Sequence, residues 1–571
     1  MKTHAKSLWM VGLFLGAALW AQAVVTRFSS PRDAQPLTRA AQAEADSADA
    51  LVARWGADYA EHDLDTRTPI HLGFARAFSR HFTKASGTAE LNFRTGQVTV
   101  AVAHLDPLPS GSAYEVWLVT QVEGPGNTAR VDLGPAGDKI LSLGALSAEG
   151  SLLTSVGAAM LAGFPVDMAV VMRVARDAEP EYVIGGMQSI RFQIGREAIS
   201  PRSDVAKSAL GILEVGVLAA EPPQSGGKKL AALIAQGRDL FFNGTFGGNG
   251  RTCGTCHQAT RDLTIDLDFI ASLPATDPLF VAESNPNLPD FDPANPTTPA
   301  FEDAGPAGLM RTRALTLENI NGFDVDGAGL LLFPPVFRAT PALFNLEFTA
   351  PYGLSDCCPD LQNFSAGAVI QHFTKTLNRV AGVDFVLPTA AELRALEAFQ
   401  LSNRSPANGN FKISGRNSLL STAADKGATN TTRPEIRGRD LFLTVGCTTC
   451  HTGTVLSGAV TNVNTGIEAL EGTLANRTPT VDIGDGLGLF QIPQLFGLRK
   501  QHFFHTGLVG NNTVVIAGET PRFANLRQAV GFYVSASFAG SPEGQFFPAI
   551  LALTAANLDD IAHFLEKISG G

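Results

Sequence analysis

The segment GRDLFLTVGCTTCH, residues 438–451, decides the fold of the C-terminal half of this chain, because it ends in a Cys-x-x-Cys-His motif. Two cysteines at this spacing can form thioethers with one edge of a haem, and the next histidine can bind the iron. The motif recurs in GRDLFFNGTFGGNGRTCGTCH, residues 237–257. The sequence thus predicts two covalently bound c-type haems. Their expected attachment cysteines and iron-binding histidines are Cys253, Cys256 and His257, and Cys447, Cys450 and His451.

The two motifs belong to an internal repeat, because further landmarks recur after them in the same order. TPALFNL (340–346) matches IPQLFGL (492–498), and AVIQH (368–372) matches AVGFY (529–533). TAAELRALEAF (389–399) matches TAANLDDIAHF (554–564). We therefore predict two homologous, mainly helical haem domains over residues 228–425 and 426–571.

The repeat also points to a second iron ligand in each domain. LQNFSAGAVIQHF (361–373) predicts an amphipathic helix with His372 near its end, and Tyr533 stands at the equivalent position in NLRQAVGFY (525–533). Histidine and tyrosine both bind haem iron, so His372 and Tyr533 are the predicted distal ligands. The rival ligands are Met310 for the first haem, and His505, His502 and His563 for the second.

The region before the haem motifs has a different pattern. Residues 1–23 predict a secretory signal peptide, with a basic start, an apolar stretch and Ala21-Gln22-Ala23 as the cleavage site. Residues 24–85 form a mixed N-terminal region. Residues 86–196 contain short apolar runs, among them AELNF and VTVAVAHL around RTGQ and SIRFQI at 189–194, which predict an antiparallel β-sandwich. Residues 197–227 are the expected linker.

Composition and targeting limit the class of function. The formal net charge is −11, and no dense run of Lys or Arg predicts contact with nucleic acid. The signal peptide predicts a periplasmic or otherwise exported protein, with no transmembrane anchor after cleavage. The adjacent Cys357 and Cys358 allow either a strained vicinal disulfide or two free thiols, and no role is assigned to them.

The two haem motifs, TPALFNL and the ending HFFHTG…LRQAVGFY together resemble the dihaem cytochrome c peroxidase/MauG superfamily over about residues 228–571. That resemblance implies a second haem held by His451 and Tyr533, His505 as a residue of its pocket, and a calcium ion between the domains. HLDPLPSGSAYEVWLV is faintly similar to the extracytoplasmic β-sandwich of anti-sigma-K-type proteins.

The chain departs from the pattern of that superfamily at points that bear on activity. The tryptophan expected between the haems has no counterpart, because Trp9, Trp20, Trp55 and Trp117 all precede the first haem motif. The catalytic glutamate and glutamine of the superfamily's first domain are unmatched, and His372 would close the site that the superfamily's reactive haem keeps open.

We therefore expect a multidomain protein, an antiparallel β-sandwich followed by two mainly α-helical cytochrome c-type haem domains, that transfers electrons between its haems and a redox partner protein or small-molecule oxidant. The alternatives are a haem enzyme, either a hydrogen peroxide reductase or an oxygenase like the dihaem rubber oxygenases, and a docking role for the β-domain.

Overall fold

The computed structural model describes most of the chain between residues 48 and 569. The described residues are 48–61, 68–75, 77–79, 83–122, 131–133, 137–199, 226–285, 288, 310–311, 314–318, 336–353, 358–376, 378–405, 416–429, 432–467, 489–498, 504 and 521–569. The predicted signal peptide (1–23), most of the predicted linker (200–225), Cys357, His502 and His505 lie outside them.

The described residues of the N-terminal part form one helix, eight strands and two further helices. Their bounds are α1 Ala48–Glu61, β1 Thr68–Leu72, β2 Ser86–Asn92, β3 Gln97–Ala103, β4 Ser112–Thr120, β5 Lys139–Ala145, β6 Ser151–Ser155, α2 Ala158–Gly163, β7 Met168–Ala175, β8 Ala178–Met187 and α3 Ile190–Ile199. The strands form two antiparallel sheets, in the orders β1-β2-β3-β6 and β5-β4-β7-β8. The hairpin predicted around RTGQ is confirmed, because β2 pairs with β3 along its whole length.

The central strands β4 and β7 of the β5-β4-β7-β8 sheet are mostly buried on both faces. On β4, Val116 and Leu118 face the other sheet, whereas Trp117 and Val119 belong to a core that continues into the first haem-motif region. A strand covered on both faces reads as a continuous apolar run, as in YEVWLV and MAVVMRV. This sheet is therefore an internal layer between the β1-β2-β3-β6 sheet and the helices that follow.

Each haem-motif region contains helices and a short antiparallel hairpin. The first contains α4 Gly226–Asn243, α5 Cys253–Cys256, α6 Leu267–Ser272, α7 Val281–Ser284, β9 Leu315–Glu318, β10 Val336–Ala339, α8 Leu361–His372 and α9 Ala390–Ser402. The second contains α10 Ala423–Gly427, α11 Pro434–Thr444, α12 Cys447–Cys450, β11 Gly458–Val463, β12 Phe490–Ile492, α13 Pro521–Phe532, α14 Ala536–Ala539, α15 Pro548–Leu551 and α16 Ala555–Ile568. Single 3₁₀ turns occupy Ala259–Arg261, Pro278–Phe280, Leu346–Phe348, Arg416–Leu419 and Gly544–Phe546.

In each haem-motif region, the helix that precedes the Cys-x-x-Cys turn crosses a later helix in close contact. α4 packs on α9, and α11 packs on α16. Gly237 lies at the first crossing and Gly438 at the second, and a Cβ atom at either would overlap a backbone carbonyl of the facing helix. The two glycines are equivalent in the sequence repeat, so the structure repeats the same crossing in both copies.

The predicted fold class, an antiparallel β-sandwich followed by two mainly α-helical haem domains, is wrong. The described residues form a mixed structure with four small antiparallel sheets, and the hairpins β9/β10 and β11/β12 lie inside regions predicted to be helical. These strands are only three to six residues long, too short for their alternation to be recognised in the sequence. The two N-terminal sheets enclose a core of their own, but the outer face of the β5-β4-β7-β8 sheet also joins a core that continues into the first haem-motif region.

The prediction of a strand at SIRFQI is also wrong, because these residues begin α3. The backbone nitrogen of Ile190 donates a hydrogen bond to the buried carboxyl group of Glu397 on α9, 3.2 Å away. A carboxylate at a helix N-terminus satisfies a backbone donor that has no partner within the helix. A side chain more than 200 residues away therefore helps to fix this element, and the local pattern could not reveal it.

Candidate haem sites

Both Cys-x-x-Cys segments form a single helical turn. Thr252 caps the first turn, through a capping box with Thr255, and Gly446 precedes the second with a φ of 114°. A helical turn places the cysteines of each pair on one side, and all four side chains are partly buried. Burial raises the pKa of Cys253 and of Cys447 to about 12, so both sulfurs are neutral thiols in the protein alone.

The histidine that ends each motif is held in the same way in both copies. Nδ1 of His257 lies 2.8 Å from the carbonyl oxygen of Leu263, and Nδ1 of His451 lies 3.0 Å from that of Leu456. Both leucines have left-handed backbone conformations, with φ of 58° and 56°. A hydrogen bond that occupies Nδ1 leaves Nε2 as the nitrogen available for iron.

A backbone carbonyl of each repeated landmark also lies near these rings. Pro341 lies near His257, and Pro493 lies near His451. The two prolines are equivalent, since each is the second residue of the repeated landmarks 340–346 and 492–498. The repeat found in the sequence is thus also a repeat of the surroundings of the two histidines.

Aromatic side chains support both histidines from equivalent positions. The ring of Phe241 lies 6.0 Å from that of His257 and 5.1 Å from that of Phe399. In the second copy, the ring of Phe442 lies 6.3 Å from that of His451 and 5.4 Å from that of Phe564. Each histidine is therefore held between a helix crossing and a carbonyl, in apolar surroundings that favour the neutral imidazole. Burial lowers the pKa of His257 to about 4 and also lowers that of His451.

The predicted distal ligand of the first site lies close to the first motif. His372 is the last residue of α8, which confirms the predicted helix. Burial and the positive charges of Arg251, Arg379 and His257 lower the pKa of His372 to about 3. Its Nδ1 is buried and makes no hydrogen bond within the described part of the protein. The ring is therefore neutral and within electrostatic reach of His257.

The exposure of α8 distinguishes its two faces. Val369 and Ile370 are buried in the core, whereas Phe364, Ala368 and His372 are only partly buried. These three follow one another at i, i+4 and i+8, so they form one stripe. A partly exposed, largely apolar stripe that ends in a neutral histidine is what one face of a haem pocket requires.

Tyr533 occupies the equivalent position in the second site, directly after α13. Burial raises the pKa of Tyr533 well above its usual value, and the neighbouring sulfurs of Cys447 and Cys450 act in the same direction. Its ring is surrounded by Phe504, Phe532 and Phe538, at 6.3, 5.4 and 5.1 Å between centroids. The structure therefore places the phenol beside the second motif. A bound ferric iron would favour the phenolate, because a metal ion reverses the effect of burial on the pKa of its ligand.

The rival ligands have different surroundings. Met310 packs in an apolar cluster that also contacts Cys256, so it too lies near the first motif. The ring of His563 packs on Phe523, with centroids 4.2 Å apart, where α13 meets α16. His505, the predicted pocket residue, lies outside the described residues, as does His502.

The described residues fit haem c better than a metal bound by protein alone. No group of three His, Cys, Asp or Glu side chains that could hold a metal ion occurs among them, so no ligands can be named for the calcium ion that the resemblance implies. Each site has two thiols on one turn, one oriented histidine and one second side chain able to bind iron. The sequence interpretation missed Leu263, Leu456, Pro341 and Pro493, although the prolines recur in the repeated landmarks and could have been noticed there.

No model of a protein family matches this chain, and no curated protein matches it at a significant level. Among the described residues, no helix has the length and hydrophobicity needed to cross a membrane.

Proposed function

We propose that this chain is an exported dihaem c-type cytochrome that carries electrons, with haem c bound at each Cys-x-x-Cys-His motif. The observation that supports this most strongly is the duplicated environment of His257 and His451. In both copies the carbonyl oxygen of a left-handed leucine lies within hydrogen-bond distance of Nδ1 of the ring, and a phenylalanine packs beside the ring.

The side chains around each proposed haem have separate tasks. The cysteine pair would hold the porphyrin edge, the oriented histidine would bind the iron from one side, and His372 or Tyr533 would bind it from the other. A bound haem supplies an iron that cycles between the ferric and ferrous states, at a potential set by its axial ligands and burial. The apolar walls, with Phe241 and Phe442, exclude water and limit the reorganisation that accompanies each change of charge.

His372 and Tyr533 favour electron transfer over reaction with a small substrate. A peroxidase or oxygenase must offer an open position on one iron, and a residue at each distal position would occupy both. The oxidant or reductant would then be a redox partner protein or a small molecule that exchanges electrons at the edge of a haem. The resemblance to the dihaem cytochrome c peroxidase/MauG superfamily is compatible with this scaffold.

Electron paramagnetic resonance (EPR) of the purified ferric protein tests the proposal. We expect two low-spin signals, and a pyridine haemochrome assay should give two c-type haems per chain. A large high-spin signal that changes when hydrogen peroxide is added would contradict the electron carrier and favour the haem enzyme. Tyr533→Phe keeps the ring and removes the oxygen, so it should change only the signal of the second haem. Tyr352→Phe, whose hydroxyl hydrogen-bonds the carbonyl of Leu346, is the matched control.

A further inference from the structure

The two repeated landmarks contact each other where the two haem-motif regions meet. Gly497, with a φ of 77°, lies against the side chains of Phe344 and Ser405. A Cβ atom at Gly497 would lie 3.0 Å from Cβ of Ser405 and 3.2 Å from the ring of Phe344. The loops that follow the hairpins β9/β10 and β11/β12 therefore lie face to face.

One carboxamide crosses this contact. Nε2 of Gln494 donates a hydrogen bond to the carbonyl oxygen of Phe344, and its Oε1 accepts one from Nδ2 of Asn345 over 2.9 Å. Because both ends of the amide are engaged by neighbouring residues of the first copy, its orientation is defined. An amide with both ends paired is a fixed connection between two backbones.

Asn345 is held rigidly to receive that amide. It is fully buried and has a left-handed backbone with a φ of 56°, which asparagine tolerates better than most residues. Its backbone nitrogen donates to the carbonyl of Asn403 at 2.9 Å. Its side chain accepts from the backbone nitrogen of Ser405 at 3.2 Å and donates to Oγ of the same serine at 3.0 Å.

In the first copy, hydrogen bonds link the loop of Phe344 to the proposed proximal ligand. Oγ1 of Thr264 donates to the carbonyl oxygen of Thr340 over 2.5 Å. The carbonyl oxygen of Leu263, directly before Thr264, lies 2.8 Å from Nδ1 of His257.

The second copy has an equivalent link. The backbone nitrogen of Leu495, directly after Gln494, donates to the carbonyl oxygen of Val455 over 3.2 Å. The carbonyl oxygen of the adjacent Leu456 lies 3.0 Å from Nδ1 of His451. A continuous path of covalent and hydrogen bonds therefore joins the two imidazole rings, and the side chain of Gln494 is its crossing between the two copies.

We propose that Gln494 is the bridge through which electrons pass between the two haems. The route leads from His257 through Leu263, Thr264 and Thr340 to Phe344, crosses at Gln494, and continues through Leu495, Val455 and Leu456 to His451. This inference rests on the proposed dihaem function. In each transfer one iron goes from ferrous to ferric and the other from ferric to ferrous, so one electron moves, no bond is made or broken and no proton is transferred. An external one-electron donor supplies the first electron. Gln494 acts through the backbone groups it joins, as a positioning residue.

The equivalent residue of the first copy shows which substitution of Gln494 the fold accepts, and a second glutamine at the interface serves as a control. The position of Gln494 is occupied by Ala342 in the first copy, so Gln494→Ala introduces the residue that the scaffold already accepts there. Gln491 also crosses between the copies. Its Nε2 donates to the carbonyls of Thr349, at 3.3 Å, and Pro351, at 2.5 Å, which lie beyond the proposed route. Gln491→Ala therefore removes a comparable crossing without interrupting that route.

The test follows the holoprotein after a photoactivated ruthenium reductant has injected one electron. Electron transfer between the two haems of one molecule has a rate that does not depend on protein concentration. It can be followed because the two haems have different ligands and therefore different absorption bands. We expect Gln494→Ala to slow that rate and Gln491→Ala to leave it at the wild-type value. EPR signals and reduction potentials should stay as in the wild type, because neither substitution touches a ligand.

Two results would overturn the inference, and they can be told apart. If the wild type transfers electrons between its haems and Gln494→Ala does so equally fast, the bridge lies elsewhere and the proposed function stands. If the wild type shows no transfer between its haems, the dihaem carrier falls together with the bridge. A slower rate accompanied by altered EPR signals would indicate a distorted site and would also contradict the proposed role.

Discussion

Gly237 on α4 lies so close to the carbonyl group of Ala395 on α9 that a Cβ atom at this glycine would overlap the carbonyl oxygen. Gly438 on α11 stands in the same relation to the carbonyl of Asp560 on α16. Both crossings bring Phe241 or Phe442 onto the histidine of its motif. The distance between helices at these glycines therefore determines the position of the proposed proximal ligands.

Gly237→Ala and Gly438→Ala should each force a helix pair apart. Overpacking of this kind costs about 1–3 kcal/mol or more, so each variant should unfold at a lower temperature and retain less haem. Gly367→Ala is the control, because Gly367 lies in α8 with no atom within 4 Å of its added methyl group. That variant should be stabilised by up to about 1 kcal/mol through helix propensity. Thermal unfolding and haem content check both results. Equal melting temperatures for all three variants would contradict the close approach of the helices at Gly237 and Gly438.

Trp55 ties α1 to the first haem-motif region. Its Nε1 donates a 2.8 Å hydrogen bond to Glu347, whose carboxylate is fully buried and also forms an ion pair with the buried Arg404. Trp55→Phe should destabilise the protein by roughly 1–3 kcal/mol, because a buried charged acceptor loses a donor. Trp117→Phe is the matched control, since Trp117 donates to Glu115 only two residues away. We expect it to cost about 1 kcal/mol or less as measured by thermal unfolding. If Trp117→Phe lowered the free energy of unfolding more than Trp55→Phe, the hydrogen bond from Trp55 to Glu347 would not be what holds α1 in place.

The sequence predicted the features that depend on local pattern. The hairpin at RTGQ, the helix that ends at His372 and the order of the repeated landmarks all follow from periodicity or from identity between the copies. The equivalence of Pro341 and Pro493, of Asn345 and Gly497, and of Phe399 and Phe564 is implicit in the same alignment. A shared role for the members of each pair therefore follows from the sequence alone.

The errors arose where distant residues determine the local structure. α3 begins where Glu397 accepts the backbone nitrogen of Ile190, and it packs on α1 and α9, so alternation gave the wrong element. The β5-β4-β7-β8 sheet shares a core with helices of the haem-motif region, which a search for separate domains could not reveal. Among the proposed ligands, His257, His451 and the pairing of His372 with Tyr533 were accessible to sequence, whereas the contacts of Gln494 depend on how the two copies meet.

Glu397 should make the stability of the protein depend on pH. Burial raises its pKa from the usual 4.5 to about 7, with the charge of Asp360 acting in the same direction against opposing hydrogen bonds. Between pH 4.5 and 7, the Glu397 carboxyl therefore keeps its proton in the folded state and has lost it in the unfolded state. Its contribution to the free energy of unfolding is fully present below pH 4.5 and declines as the pH rises to 7. Since a pKa change of one pH unit corresponds to about 1.4 kcal/mol, the decline from this carboxyl is on the order of 3 kcal/mol.

Glu397→Gln keeps an oxygen to accept from Ile190 and removes the titrating proton. Thermal unfolding between pH 4.5 and 7 should show a smaller decline in this variant than in the wild type. Asp360 remains, with a pKa that burial raises to about 6, so part of the dependence should persist. Glu392→Gln, on the same helix, retains Glu397 and should keep the full slope. An unchanged slope in Glu397→Gln would show that this carboxyl is already ionised in the folded protein.

His372→Ala and Met310→Ala together test which side chain is the distal iron ligand of the first proposed haem. Both residues lie near the first motif. His372 is the neutral imidazole within electrostatic reach of His257, so its loss should convert the first haem from low spin to high spin. Met310 packs among Ile270, Phe280 and their neighbours. Met310→Ala should therefore lower the free energy of unfolding by no more than about 5 kcal/mol and leave the spin state unchanged. EPR and visible spectra of the ferric proteins separate the two cases. Added imidazole should restore the low-spin spectrum of His372→Ala, whereas a spin change in Met310→Ala alone would assign the ligand to the methionine.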